Sequence, residues 1–310
     1  MTGGTGLVGS HLARRLTEAG HRVTLLVRPT SDRSRLAGFE SRLEWVSGDL
    51  RDAASVQAAV RQADPELVYH LASTALNQGH AGPRDHVETI VLGTQHLLEA
   101  LKDRPGLRIV AAGSAAEYGS GTGVREDQLL RPSTVLGAAK AAAFHLLQAY
   151  AQTTGLQPVT LRLFTPYGPG EHPRRLIPYV IVSALAKQEV ALTSGEQERD
   201  FVYIEDVVDA LLAATSPSVA GGSVFNIGSG QGTRVRDVVE RVLGLMGNPV
   251  QARFGAVPTR ADEIVRMSAD ITAAQAQLGW SPRVPLEEGL RRSIAWFVQR
   301  RQPTEAVAGR

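Results

Sequence analysis

Residues 2–12, TGGTGLVGSHL, decide the fold. Gly3, Gly6 and Gly9 recur at three-residue spacing and run directly into a helical pattern over 7–19. Glycines so spaced let the main chain turn tightly and approach a pyrophosphate, whose charge then rests on the first N–H groups of the helix. Gly3, Gly6, Leu7, Val8 and Gly9 are therefore the first candidate binding residues. Such a loop alone is weak evidence, so its surroundings decide.

Working outward, extended β-branched runs occur at 22–27 (RVTLLV), 43–47 (LEWVS), 66–71 (ELVYHL), 107–112 (LRIVAA) and 158–163 (PVTLRL). Helix-period segments lie between them, near 53–63, 85–102 and 134–154. This alternation predicts an α/β protein with a doubly wound parallel (Rossmann) sheet, helices on both faces. In the strand order 3-2-1-4-5-6 the first strand is central and precedes the glycine loop. Here Met1 stands where that strand should end, so the first strand is expected to be truncated and its neighbours to lie about 5 Å too far apart. This reading places the natural start several residues upstream of Met1.

Beyond residue 166 the pattern loosens. Four prolines and two glycines crowd into 166–178, which predicts a shaped loop. Helices follow near 176–187, 206–215, 235–246 and 285–300, with short strands near 190–192 and 223–227. The expected organisation is a dinucleotide-binding domain over 1–165, into which later strands from 190–227 are interleaved. A smaller C-terminal α/β substrate lobe follows over 166–301, with a disordered tail over 302–310.

Composition narrows the class. The 310 residues are 43% hydrophobic, enough for one large α/β domain with an appended lobe. The 33 basic and 31 acidic residues are scattered without long runs, which argues against nucleic acid as a partner. No long apolar stretch suggests a membrane span. The absence of cysteine removes disulfides and thiolate metal sites, and no other metal site is read. A cytoplasmic protein is expected. Only Lys102, Lys140 and Lys187 are lysines, so arginine is the default cation and each lysine stands out.

Further candidates follow strand ends. After the second strand, Val27 and Arg28 offer no carboxylate for ribose hydroxyls, the feature that would favour NAD. Arg28 with Arg33 or Arg35 could hold a 2′-phosphate, so NADP(H) is favoured over NAD(H), the alternative being a solvated basic loop. Asp49 and Leu50, in SGDLRD, end the third strand; the Asp49 carboxylate could reach an adenine amine or cap the helix beginning near Asp52.

With these residues in view, the chain resembles the extended short-chain dehydrogenase/reductase family, the NAD(P)-dependent nucleotide-sugar epimerases, dehydratases and ketoreductases. The resemblance runs nearly end to end: TGGTGLVGSHL, GDLRD, VYHLAS, GSAAEYG, LRLFTPYGPG, RDFVYIEDVVDA and LGWSPRVPLEEGL follow the family's order. It implies that Leu71, Ala72 and Ser73 lie beside the pyrophosphate, and that Ser114 hydrogen-bonds the sugar hydroxyl or ketone. It implies that Lys140 holds the nicotinamide ribose and lowers a neighbouring phenol's pKa. Arg199 and Arg260 would clamp the substrate diphosphate, a task suited to the guanidinium fork; each could equally form a surface ion pair. A nucleotide-sugar-like substrate and a homodimer built on the helices near 85–102 and 134–154 belong to the same implication.

The departures are specific. Leu136 lies one helical turn before Lys140, where the family carries its proton-transferring tyrosine. A positioned general acid contributes about 10²–10⁴-fold in rate, so the loss is severe though not absolute. Ala115 and Ala116 follow Ser114 where dehydratases place an acidic pair, which argues against 4,6-dehydration. Ile90 stands where many relatives have asparagine. Tyr167 and Tyr118 are the candidate substitutes for the missing acid; Glu117 and His70 could also carry protons, though His70 ends a buried strand and is expected to pack there. Three readings remain open: an epimerase or ketoreductase acting on a nucleotide-activated sugar, a catalytically silent NAD(P)-binding protein, and a ketoreductase of a non-sugar substrate.

Overall fold

The computed structural model describes residues 1–74, 82–259 and 262–301. The first half runs α1 (Leu7–Glu18), β1 (Thr24–Val27), β2 (Glu44–Ser47), α2 (Ala53–Ala63), β3 (Leu67–His70) and α3 (Pro83–His86). A π-helical segment (Val87–Leu92), α4 (Gly93–Leu101), β4 (Arg108–Ser114), β5 (Gly121–Val124), α5 (Val135–Thr154) and β6 (Gln157–Leu163) follow. The second half adds β7 (Thr165–Tyr167), α6 (Leu176–Leu185), β8 (Val190–Ala191), β9 (Glu198–Tyr203), α7 (Ile204–Ala213) and β10 (Val224–Ile227). It closes with β11 (Gly232–Arg234), α8 (Val235–Leu245), β12 (Ala252–Arg253), β13 (Met267–Ala269) and α9 (Leu286–Arg301).

The main sheet is parallel. β2 pairs with β1, and β3, β4, β6 and β10 pair in that order. Thr2 joins the two halves, bridging Leu26 of β1 on one side and His70 of β3 on the other. The gap expected beside a missing first strand is thus closed at this level by main-chain bonds. Leu26 N donates to Met1 O at 2.9 Å, Thr2 N to Tyr69 O at 2.9 Å, and Leu71 N to Thr2 O at 3.2 Å. Strand order reverses here, and in open α/β sheets such a switch point is where ligands bind, beyond the carboxyl ends of the strands.

Side-chain periodicity explains the layers. Leu12 and Leu16 of α1 and Val207 and Leu211 of α7 pack with Leu25, Val110, Leu161 and Phe225 on one face. Val56, Leu97, Leu98, Leu101 and Leu147 from α2, α4 and α5 cover Val68 and Ile109 on the other. A further core joins Ile177, Val180 and Ile181 of α6, Val238, Val239 and Val242 of α8, and Leu290 of α9 to Phe201 and Tyr203 of β9. Burial of this kind stabilises by roughly 25 cal/mol per Å² of apolar surface, and it holds the strand ends, and so the site, in fixed register.

Helix ends are set locally. Asp52 caps α2 by accepting from Ala54 N, and Thr134 caps α5 by accepting from Gly137 N at 3.0 Å. The Thr134 cap fixes where α5 begins, and hence where Leu136 and Lys140 fall on it. No described helix is long and apolar enough to cross a membrane.

Candidate active site

The glycine loop forms a cradle that side chains would fill. Gly3 sits at φ +69°, and a Cβ there would lie 2.6 Å from the backbone of Leu71 and Ala72. A Cβ on Gly9 would come within 2.2 Å of Gly3 O. The loop therefore lies directly against the end of β3, bringing Leu71 and Ala72, both half-buried, beside it, with Ser73 exposed. Gly6, the N-cap of α1, offers no side-chain cap. The first-turn N–H groups of α1, with Leu7 and Val8 among them, thus face the loop without an internal acceptor, the arrangement that receives a pyrophosphate. These residues fit a dinucleotide.

At the adenosine end the residues take more particular roles. Asp49 does not cap α2, since Asp52 does so; its carboxylate instead pairs with Arg51 at 2.6 Å. That pairing, aided by the charge of nearby Arg28, holds the Asp49 carboxyl below its ordinary value. Leu50 O lies 2.8 Å from His96 Nδ1, tying the segment to α4. Of the three arginines considered for a 2′-phosphate, two are engaged. Arg33 stacks over the Trp45 ring at 4.4 Å. Arg35 Nε donates to Gly170 O at 2.7 Å and joins the segment before β2 to the loop before α6. Arg28, just past the end of β1, is half-buried.

The residues expected to act on the substrate gather on β4 and α5. Lys140 is buried, and its Nζ donates to Ala112 O at 2.7 Å, two residues before Ser114. Burial pushes the lysine down to about 8, against an opposing pull from Glu117. Ser114 ends β4 and caps the short turn 115–117, its Oγ accepting from Ala116 N at 3.2 Å. α5 abuts that turn closely, since a Cβ on Gly137 would lie 2.3 Å from Ala116 O. Leu136, the neighbour of Gly137, lies in the first turn of this helix.

Both departures from the family pattern meet here. Ile90, 2% exposed, comes from the π-helical segment and packs with Ala139 and Ala143 of α5. Leu136 and Val91 pack against that cluster. The position without its tyrosine and the position without its asparagine therefore share one apolar wall.

Neither candidate replacement phenol is placed to serve. Tyr118 OH donates to Asn226 Oδ1 at 2.7 Å and accepts from Arg162 Nη1 at 2.8 Å, and burial pushes it up to about 12. Tyr167 is 1% exposed, donates to Leu286 O at 3.1 Å, and meets Phe201 and Tyr203 edge-on; burial raises its pKa as well. Both hydroxyls are spent inside the protein, which corrects the expectation that either could replace the missing acid. Glu117 is likewise committed. Its Oε2 accepts from Arg162 Nε at 2.7 Å and its Oε1 from Ser114 N at 2.7 Å. His70 lies between Thr2 Oγ1 at 2.8 Å and Thr94 Oγ1 at 2.9 Å, and burial drives it down to about 3, so it stays neutral.

Arg162 was not among the sequence candidates. It is 1% exposed, lies over the rings of Tyr118 and Phe144, and holds Glu117 in place behind Ser114. The signal was present: an arginine inside the otherwise apolar run PVTLRL must find a buried partner. Arg199, on β9, pairs with Glu263 and donates through Nη1 to Glu198 O at 2.8 Å, so a substrate phosphate would have to compete with that carboxylate. Arg260 lies outside the described residues.

The fold and site define a dinucleotide-binding protein of the oxidoreductase kind. Residues 1–228 match the model of the NAD-dependent epimerase/dehydratase family, and the chain belongs to that family. A dTDP-glucose 4,6-dehydratase of Xanthomonas campestris pv. campestris is 28% identical over 324 residues, covering 96% of this chain and 92% of the relative. The UDP-glucose 4-epimerase of Thermotoga maritima, solved with UDP-glucose, superposes with a TM-score of 0.88 at 28% identity, over 96% of this chain and 98% of its own. The Thermus thermophilus UDP-glucose 4-epimerase, solved with NAD, does so at 0.86 and 30% identity, over 96% and 97%.

Proposed function

We propose that this protein is an epimerase or ketoreductase that moves a hydride at a carbon of a nucleotide-activated sugar. The observation that carries this reading is the joining of Lys140, through Ala112 O, to the strand that ends in Ser114. It stands on the same sheet edge as a glycine cradle that has no room for side chains. A nicotinamide dinucleotide bound there supplies or takes the hydride. Ser114 orients the reacting oxygen, and Lys140 holds the ribose. Ala115 and Ala116 carry no titrating group, which counts against dehydration, although a dehydratase is among the similar proteins. NADP(H) is favoured over NAD(H) on Arg28 and on the absence of a carboxylate beside it, while the similar Thermus structure holds NAD. A diphosphate on Arg199, with Arg260, a homodimer and a cytoplasmic setting complete the reading.

A second reading is favoured by the apolar wall of Leu136 and Ile90: a protein that binds the dinucleotide without turnover. Titration with NADPH and NADH, followed by incubation with a panel of keto-sugar nucleotides, separates the two. Turnover by the parent chain supports the enzyme. Binding without turnover, in both the parent and a Leu136→Tyr variant, supports the silent protein.

A further inference from the structure

Among the described residues, the side chains considered as proton carriers can be taken in turn. Leu136 has no proton to give. The Tyr118 and Tyr167 hydroxyls are bonded to Asn226 and Leu286. Both Glu117 oxygens are taken, by Arg162 and by Ser114 N. His70 has a threonine on each nitrogen. Lys140 differs from all of these. Its Nζ has three hydrogens and, among the described residues, a single hydrogen-bond acceptor, Ala112 O, on the strand that ends in Ser114. Beyond that bond the ammonium has two further hydrogens, one for the ribose and one to transfer, on a residue one helical turn from Leu136, in a chain where arginine is used for almost every other positive charge.

We propose that Lys140 is itself the acid–base group of the reaction, in place of the phenol that Leu136 lacks. This rests on the hydride-transfer reading above. In the reducing direction, hydride from the reduced nicotinamide forms the new C–H bond as the carbonyl π pair moves onto oxygen. That oxygen takes a proton from the Lys140 ammonium, leaving a hydroxyl and a neutral amine, and solvent returns the proton to the amine. In the oxidising direction the neutral amine accepts the hydroxyl proton as hydride leaves for the oxidised nicotinamide. A buried lysine suits this task because desolvation disfavours its charged form and brings it towards the working pH. Burial brings Lys140 down to about 8, which meets that requirement.

The groups facing Lys140 fix the sign. Glu117 favours the charged amine, and burial disfavours it. His70, itself lowered by the lysine charge, adds no positive charge while neutral. Ketone reduction should accordingly fall as pH rises through about 8, and alcohol oxidation should rise over the same range.

Two measurements test this on the full chain. Because the chain has three lysines, ¹³Cε-labelled lysine gives three resolvable signals without any turnover. The Lys140 signal, assigned by its loss in Lys140→Arg, should titrate near pH 8; a midpoint above about 10, the ordinary lysine value, would overturn the proposal. In parallel, pH–rate profiles are taken for the parent and for Lys140→Arg, with NADPH binding followed by fluorescence to show that the variant is folded and loaded. The limb near pH 8 should vanish in Lys140→Arg, and the rate should drop about 10²–10⁴-fold. A limb that survives in the variant would overturn the acid–base role alone. Failure of the parent to bind NADPH or NADH would overturn the hydride-transfer reading and this proposal with it.

Discussion

At the scale of single residues, the site turns on which polar groups are already spent. Arg162 and Glu117 form a buried pair, 1% and 0% exposed, and the pair positions the backbone of Ser114. Removing one partner leaves the other charge uncompensated, so Arg162→Met should lose about 3–5 kcal/mol in denaturant unfolding. Adding Glu117→Gln should recover part of that loss, a coupling that a double-mutant cycle measures. Glu171 makes a different prediction. Burial raises its carboxyl from 4.5 to about 7 despite Arg175 and Arg35. The folded state therefore holds an extra proton across that window, and stability falls as pH rises through it. Glu171→Gln should remove this slope, worth on the order of 2 kcal/mol between about pH 5 and 8 by thermal or chemical unfolding. The Leu136–Lys140 spacing was legible in the sequence because one helical turn relates the two residues. The fates of Tyr118 and Tyr167 were not, because their partners Asn226 and Leu286 are distant in sequence and only the fold brings them near.

At the scale of elements, the glycine loop and the helix after it form the cradle proposed to hold the dinucleotide. Gly9→Ala would place a methyl 2.2 Å from Gly3 O, and backbone cannot move aside as a side-chain end can. Dinucleotide affinity should drop more than about tenfold, or about 1.4 kcal/mol, in a fluorescence titration. Periodicity read most helices and central strands to within a few residues, because α1, α2, α5 and β6 have one-sided or continuous apolar patterns that local sequence carries. The helix expected over 85–102 instead contains a π-helical segment at Val87–Leu92, which is what carries Ile90 towards α5. The extra i→i+5 turn leaves no mark in hydrophobic spacing. Short pairs such as β5 with β13 were also missed, since strands of three or four residues show too little alternation to detect.

At the scale of the whole molecule, His11 Nε2 and Arg35 Nε of the first half bond Pro169 O and Gly170 O of the second, at 2.9 Å and 2.7 Å. Asp200 helps hold the second half together, its carboxylate accepting from Ser229 N, Gly230 N and Ala269 N. β10 returns to the main sheet after α7 and pairs in parallel with β6. The family's order of motifs made this architecture legible from end to end, while the apolar wall of Ile90 and Leu136 appears only once the helices are packed. In the function proposed above, this wall borders a site able to transfer hydride, short of one phenol. The direct measurement is the rate at which protein loaded with reduced nicotinamide dinucleotide consumes it when given a keto-sugar nucleotide, comparing the parent with Leu136→Tyr. A slow but measurable rate in the parent, rising at least about tenfold with the restored tyrosine, is the predicted result. Bound dinucleotide that neither form consumes, across the substrate panel, would contradict it.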